Sequence, residues 1–182
     1  MKGRLAVLCL VLLCACKEDA PPAPVSMTED ALGYFCQMNL IEHAGPKAQV
    51  HLEGLPGAPL FFSQVSDAVA YLRMPERDHR IVASYVSDMG AAPNWHDPGV
   101  DNWIDIHAAL FVVGSRRMGA MDAPEFVPFG DEGSARQFVA EFGGQVMSLD
   151  DIPDAAVFPQ AVSDTDADYA GRLSTLAERK EN

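Results

Sequence analysis

The sequence predicts an α+β fold in which two similar small ββαβ units pack together, between a flexible N-terminal tether and an acidic C-terminal tail. Three observations predict it. The central part of the chain, about 120 residues and enough for one ordinary domain, alternates strand-like runs rich in Val, Ile and Phe with apolar positions three or four apart. A short pattern recurs at an offset of 67 residues: Phe62, Ala68, Tyr71 and Leu72 are matched by Phe129, Ala135, Phe138 and Val139. Neither half has enough core to be comfortable alone, so the two are expected to bury their apolar faces against each other.

Taken in order, residues 1–15 read as a signal peptide. Lys2 and Arg4 form a positive n-region, and Leu5 to Leu13 is an apolar run, far shorter than the ~20 residues of a spanning helix. It ends in Leu13-Cys14-Ala15-Cys16, the large-x-small-Cys form of a lipoprotein processing site, which makes Cys16 the acylated first residue of the mature chain. Residues 16–30, with Pro21, Pro22 and Pro24, have no apolar period and are expected to be a lipidated flexible tether. The first ββαβ unit spans 31–92, with strands at Ala48 to Glu53 and Arg80 to Val86 and a helix after the turn Ser63-Gln64. The second spans 93–150, with one strand from Ile104 to Gly114, a helix after Gly130-Asp131, and a last strand at Gly144 to Ser148. Residues 151–182 are acidic and poor in aromatics. They are expected to be a mobile tail, with a loose helix from Asp168 to Lys180.

Removing the signal changes the cysteine arithmetic. Cys9 and Cys14 leave with it and the lipid blocks Cys16, so Cys36 remains as a single thiol in a disulfide-favouring compartment. An odd cysteine in an exported protein implies an intermolecular bridge, reactivity or a metal. The loss of Lys2 and Arg4 also leaves 11 basic against 26 acidic residues, a formal charge of −15. Nucleic acid and anionic membrane surfaces would be repelled by such a chain. Lys17 follows the acylated cysteine and lacks the acidic signal for inner-membrane retention, so a periplasmic protein anchored at the outer membrane is favoured.

The chemistry centres on Tyr34-Phe35-Cys36-Gln37-Met38. In extended backbone, Cys36 and Met38 share a face, so thiolate and thioether would converge. Both are soft donors, which select Cu(I) over hard cations, and no CxxC pair or HExxH supports zinc. For Met38, core packing stands beside ligation. A second cluster, Met118 and Met121, lies in a Gly-, Ala- and Pro-containing loop. It either brings sulfur toward Cys36 or forms a hydrophobic plug. Met74 and Met89 sit at element ends, where packing is expected. His43 is the histidine nearest the thiol in sequence and a candidate additional ligand, while His51 falls inside a predicted strand. A Cys–His pair would equally suit a thiol nucleophile, but no His, Asn or Asp has a context that marks a base.

These residues resemble the NosL family. The resemblance rests on the lipoprotein signal, Phe35-Cys36-Gln37-Met38, His43-Ala44-Gly45-Pro46-Lys47-Ala48-Gln49, Phe61-Phe62-Ser63, and Met118-Gly119-Ala120-Met121-x-x-Pro124-Glu125 with Pro128-Phe129. It implies a copper-binding lipoprotein, encoded with nitrous oxide reductase, that serves as a copper chaperone in building that enzyme's copper–sulfur centre. It also implies two similar ββαβ units, related in shape to the organomercurial lyases. The family's Cys-x-Met pair maps onto Cys36 and Met38, and its methionine loop onto Met118 and Met121. Asp122 departs from the pattern, where glycine is expected.

Two functions from different classes follow. The favoured one is a Cu(I) carrier and not an enzyme, with Cys36 as the anionic ligand, Met38 and a loop methionine as neutral donors, and His43 as an additional ligand. Its partners would be nitrous oxide reductase and its membrane-bound assembly machinery. The alternative is a thiol-dependent enzyme using Cys36, of organomercurial-lyase-like shape.

Overall fold

The computed structural model describes residues 20–77 and 79–158. Cys16, and the helix expected from Asp168 to Lys180, lie outside them. Among the described residues no helix is long and apolar enough to cross a membrane.

Among the described residues seven strands form two antiparallel sheets. In the first unit β1 (Ala48–Leu52) and β2 (Leu60–Phe62) form a hairpin, α1 (Val65–Arg73) follows, and β3 (Ile81–Ser87) returns to the other side of β1. The second unit repeats the path: β5 (Leu110–Val113), β6 (Val127–Phe129), α2 (Glu132–Phe142) and β7 (Gln145–Met147). The spatial orders β2-β1-β3 and β6-β5-β7 are therefore the same, as two similar ββαβ units require. Phe62 pairs with Ala48 and Phe129 with Leu110. The repeat offset thus holds from β2 through α1, and fails upstream because the second hairpin connection is five residues longer.

Each helix has an apolar stripe and a sequence-encoded end. Val65, Ala68, Val69 and Leu72 lay α1 on Ala48, Val50 and Phe62, and the chain leaves the helix at Met74, before Pro75. Ala135, Phe138 and Val139 lay α2 on Val112, Val127 and Phe129. That helix stops at Gly143 and Gly144, whose φ of 76° and 95° suit glycine. Alternation along β5 joins the units: Val112 faces α2, while Phe111 points into the core of the first unit with Phe126 and Ile106. Met74 and Met89 pack against the two cores, as their positions predicted.

Three expectations need correction. The run Ile104 to Gly114 is not one strand. Trp103–Asp105 forms β4, which pairs with β3 as an edge of the first sheet, and only Leu110–Val113 belongs to the second. A turn between them, with Ala108 and Ala109 N–H both donating to the Asp105 carbonyl, carries the chain across. The tether expected over 16–30 does not stay free through its described part. Val25 N–H donates to Gln49 Oε1 at 2.8 Å, Gln49 Nε2 donates to the Val25 carbonyl at 2.9 Å, and Tyr85 donates to the Pro22 carbonyl at 2.7 Å. Met27 is buried with Ala31 and Leu40. Residues 22–27 form a strap over the face of β1 that carries Gln49 and His51. Finally, the tail expected from 151 begins inside the core: Ile152 and Val157 are buried there, the latter on the short helix α3 (Asp154–Val157), and Asp154 pairs with Arg73 at 2.8 Å.

Ile152→Ala tests this last correction. Loss of a fully buried isoleucine should cost about 2–5 kcal/mol, measured by urea unfolding of the soluble chain, whereas a loose tail would show no change.

Candidate metal centre

The cysteine loop is a closed turn stitched onto the first sheet. Gly33 N–H donates to the Met38 carbonyl at 2.9 Å and Gln37 N–H to the Gly33 carbonyl at 2.8 Å, while Tyr34 N–H reaches Phe61 at 2.6 Å. The extended backbone expected between Cys36 and Met38 is therefore absent. Gln37 between them has a φ of 56°, in the left-handed region that costs a non-glycine residue energy. A Cβ on Gly33 would lie 2.5 Å from the Cys36 sulfur, so any larger residue there would displace the thiol. Cys36 Sγ is half-buried and 3.3 Å from Ser63 Oγ. Tyr34 and Phe35 precede Cys36 in the turn and are exposed, their rings 5.9 and 5.4 Å from that of Phe62.

The methionine loop folds independently of the sheet hydrogen bonds. Gly119 N–H donates to the Ala123 carbonyl at 2.9 Å, Met118 bridges to Pro124, and Ala120–Asp122 forms one 3-10 turn. The hydrophobic plug weighed for Met118 and Met121 is not formed by them; the buried residue of the 3-10 turn is Ala120. Met118 and Met121 are 42% and 53% exposed. Met121 and Asp122 adopt φ values of 57° and 53°, so aspartate stands at a position whose backbone favours glycine. Arg117 anchors the loop, with its guanidinium 4.7 Å from the Trp95 ring centroid and 5.4 Å from that of Phe142.

Two glycines bring the segments together. The Cβ that Gly45 lacks would sit 3.6 Å from Gly119 Cα and 3.3 Å from Trp95. A side chain at Gly45 would thus touch the methionine loop, which closely approaches the segment leading into β1. His43 takes a different place. It is half-buried in the wall of a cavity of about 260 Å³ with His96, Asp97 and Lys47, and the hydrogen bond recorded for Cys36 goes to Ser63 and not to an imidazole. His51 is buried, with Nε2 2.9 Å from Gln49 Oε1 and its pKa lowered by burial. Among the described residues no three His, Cys, Asp or Glu side chains come together as a metal-holding group.

Two buried charges had no assigned role from sequence. Lys47 is 1% exposed, and its Nζ donates to the Gly45 carbonyl at 2.7 Å. Burial lowers its pKa to about 8, against the opposing fields of Glu125 and Cys36. Glu125 is 3% exposed and accepts from Val65, Ser66 and Phe126 N–H at 3.2, 2.9 and 2.8 Å. Burial raises it to about 7, against those backbone donors and Lys47. The available signal was local: each is a single charge beside an apolar run, Lys47-Ala48-Gln49-Val50 and Glu125-Phe126-Val127. Because the ammonium stabilises the carboxylate, Lys47→Met should move the Glu125 titration above about 7; carbon-13 NMR of the carboxyl in the metal-free soluble chain reads the direction.

The family model described as NosL matches residues 24–157. The chain is 52% identical over 180 residues to the copper-binding lipoprotein NosL of Achromobacter cycloclastes, covering 94% of this chain and 93% of that protein. It is 30% identical over 164 residues to the copper-binding lipoprotein NosL of Stutzerimonas stutzeri, covering 87% and 83%. The crystal structure of the copper chaperone NosL from Shewanella denitrificans matches with a TM-score of 0.68 at 28% identity, over 74% of this chain and 98% of that one. All three are named for copper, the first two also as lipoproteins, and none for catalysis. The matched span takes in both sheets, the cysteine turn and the methionine loop, and the chain belongs to the NosL family.

Proposed function

We propose that this chain is a lipid-anchored periplasmic carrier of a single Cu(I) ion, which it delivers for assembly of the copper–sulfur centre of nitrous oxide reductase. The observation that carries the reading is the close approach of the methionine loop, its two thioethers left exposed, to the segment before β1, where Lys47 lies in the field of the half-buried Cys36 thiol. A thiolate and neutral thioethers form a soft donor set suited to a monovalent copper ion. Cys36 supplies the one anionic sulfur, Met38 and a loop methionine the neutral ones, and His43 is the nitrogen closest in sequence. An open shell of exposed donors lets a sulfur or nitrogen of an acceptor protein attack the ion and take it. The family names support copper carriage, and a lipid on Cys16 would keep the carrier at the membrane near membrane-bound assembly machinery.

Anaerobic Cu(I) titration of the soluble chain tests the site. Cys36→Ser should abolish tight binding. Met38→Ala and Met121→Ala should each weaken it by about tenfold, equivalent to about 1.4 kcal/mol. Wild-type affinity in Cys36→Ser would place the site elsewhere.

Delivery is tested in the host. A chromosomal Cys36→Ser variant, folded and exported, should yield reductase deficient in its copper–sulfur centre, most severely when copper is scarce. Full nitrous oxide reduction and normal reductase copper in that strain would show that carriage by this thiol is not the function.

A further inference from the structure

Helix α1 begins with a residue that does not cap it. Gln64 occupies the N-cap and makes no side-chain bond to the first turn, whereas Asp131, at the matching position before α2, accepts from Ser134 N–H at 2.9 Å. The acceptor missing from the first unit comes from the second. Glu125 takes the Val65 N–H on Oε2 at 3.2 Å and the Ser66 N–H on Oε1 at 2.9 Å. Its other side is covered by the methionine loop: a Cβ on Gly119 would fall 2.8 Å from Glu125 Oε2 and 2.9 Å from its Cβ. Gly119 stands between Met118 and the turn that carries Met121. One carboxylate therefore touches both the helix that begins two residues after Ser63, the partner of the Cys36 sulfur, and the backbone that sets where the loop methionines stand.

We propose that Glu125 is a positioning residue that holds the methionine loop in register with Cys36, so that sulfurs from the two units face one ion. The proposal rests on the copper-carrier reading. The donors lie on separate units, and neither the hairpin hydrogen bonds of β5 and β6 nor the cysteine turn reaches across. Without the carboxylate, two N–H groups at the start of α1 lose their acceptor, and Gly119 loses the surface it rests on. A carboxylate that only capped α1 would act on stability alone. One that positions the loop acts on what the loop methionines contribute to copper.

The experiment is a double-mutant cycle on the soluble chain. Glu125→Ala and Gly119→Ala are each combined with Met118→Ala and Met121→Ala. Cu(I) affinity is read by competition with a chelator, the number of sulfurs around copper by X-ray absorption, and folding by thermal unfolding. The expected result is non-additive. Whichever loop methionine costs affinity in the parent should cost little more in the Glu125→Ala background, and the sulfur count should drop by the loop donor. Glu125→Gln, which keeps an acceptor oxygen for α1, should retain most of the affinity. Gly119→Ala retains the carboxyl group and has an ordinary φ of −83°, but its methyl forces the loop and Glu125 apart, so it should reproduce the loss, with thermal unfolding showing that the protein is folded. It carries the test alone if Glu125→Ala fails to fold. Full multiplicative cost of the methionine substitution in both backgrounds overturns the proposal. So does an unchanged sulfur count in Gly119→Ala, or a parent in which neither loop methionine costs affinity. Cys36→Ser separates the two levels: tight copper binding there removes the carrier reading itself, whereas loss there with additive methionine costs removes only the role of Glu125.

Discussion

Strand β1 is buried along its whole length on both faces, and that constraint organises the molecule around it. Ala48, Val50 and Leu52 point to one side, where α1, Phe62 and residues of the second unit cover them. Gln49 and His51 point to the other, and a polar face can be dry only if its hydrogen bonds are met. The strap meets them through the reciprocal pair between Val25 and the Gln49 amide. A lone ββαβ unit could not cover both faces. The second unit, the strap and the Leu149–Val157 segment are each required by the same strand.

The burial of β1 extends three residues upstream, to Gly45, and draws Lys47 inside with it. A buried ammonium is costly unless paired, and the fields of Glu125 and Cys36 oppose its loss of charge. Glu125 is held in turn by three backbone donors drawn from both units. The charges thus lie at the seam where the segment before β1, the start of α1 and the methionine loop meet. Non-glycine residues with left-handed backbone, Gln37, Met121 and Asp122, occur only in the two donor-bearing loops among the described residues. Strain of this sort persists where surrounding contacts over-determine the backbone, as the cysteine turn and the Arg117-anchored loop do here.

What was legible in the sequence follows from what periodicity measures. Phe62, Ala68, Tyr71 and Leu72 recur as Phe129, Ala135, Phe138 and Val139 because both sets face a helix–sheet interface, so the two units could be read directly. The break between β4 and β5 could not, since the intervening Ile106-His107-Ala108 contains neither glycine nor proline and Ile106 is itself buried. Residues 22–27 looked free because hydrogen bonds to Gln49 and Tyr85 and a single buried methionine, Met27, leave no apolar pattern. Ile152 and Val157 were missed as isolated anchors in an acidic stretch. At the site, residue types announced the soft donors, but the backbone between Cys36 and Met38 turns on a positive φ at glutamine, which no propensity anticipates. Lys47 and Glu125 were passed over as surface charges because burial of a single ion depends on partners remote in sequence.

The strap also gives the domain a direction. Ala20, Pro21 and Pro22 lie beside Leu52–Pro56 and Arg80–Val82, at the hairpin end of the first sheet. Lys47 and Ser63 stand at the other end, where Ala48 pairs with Phe62, and five residues of strand separate the two ends by roughly 16 Å. With a lipid on Cys16, the leash from the bilayer to the first fixed point at Pro22 can span at most roughly 20 Å. Such an anchor would join the domain near the hairpin end of the first sheet, while Ser63, the partner of the Cys36 sulfur, lies at the end farther from it.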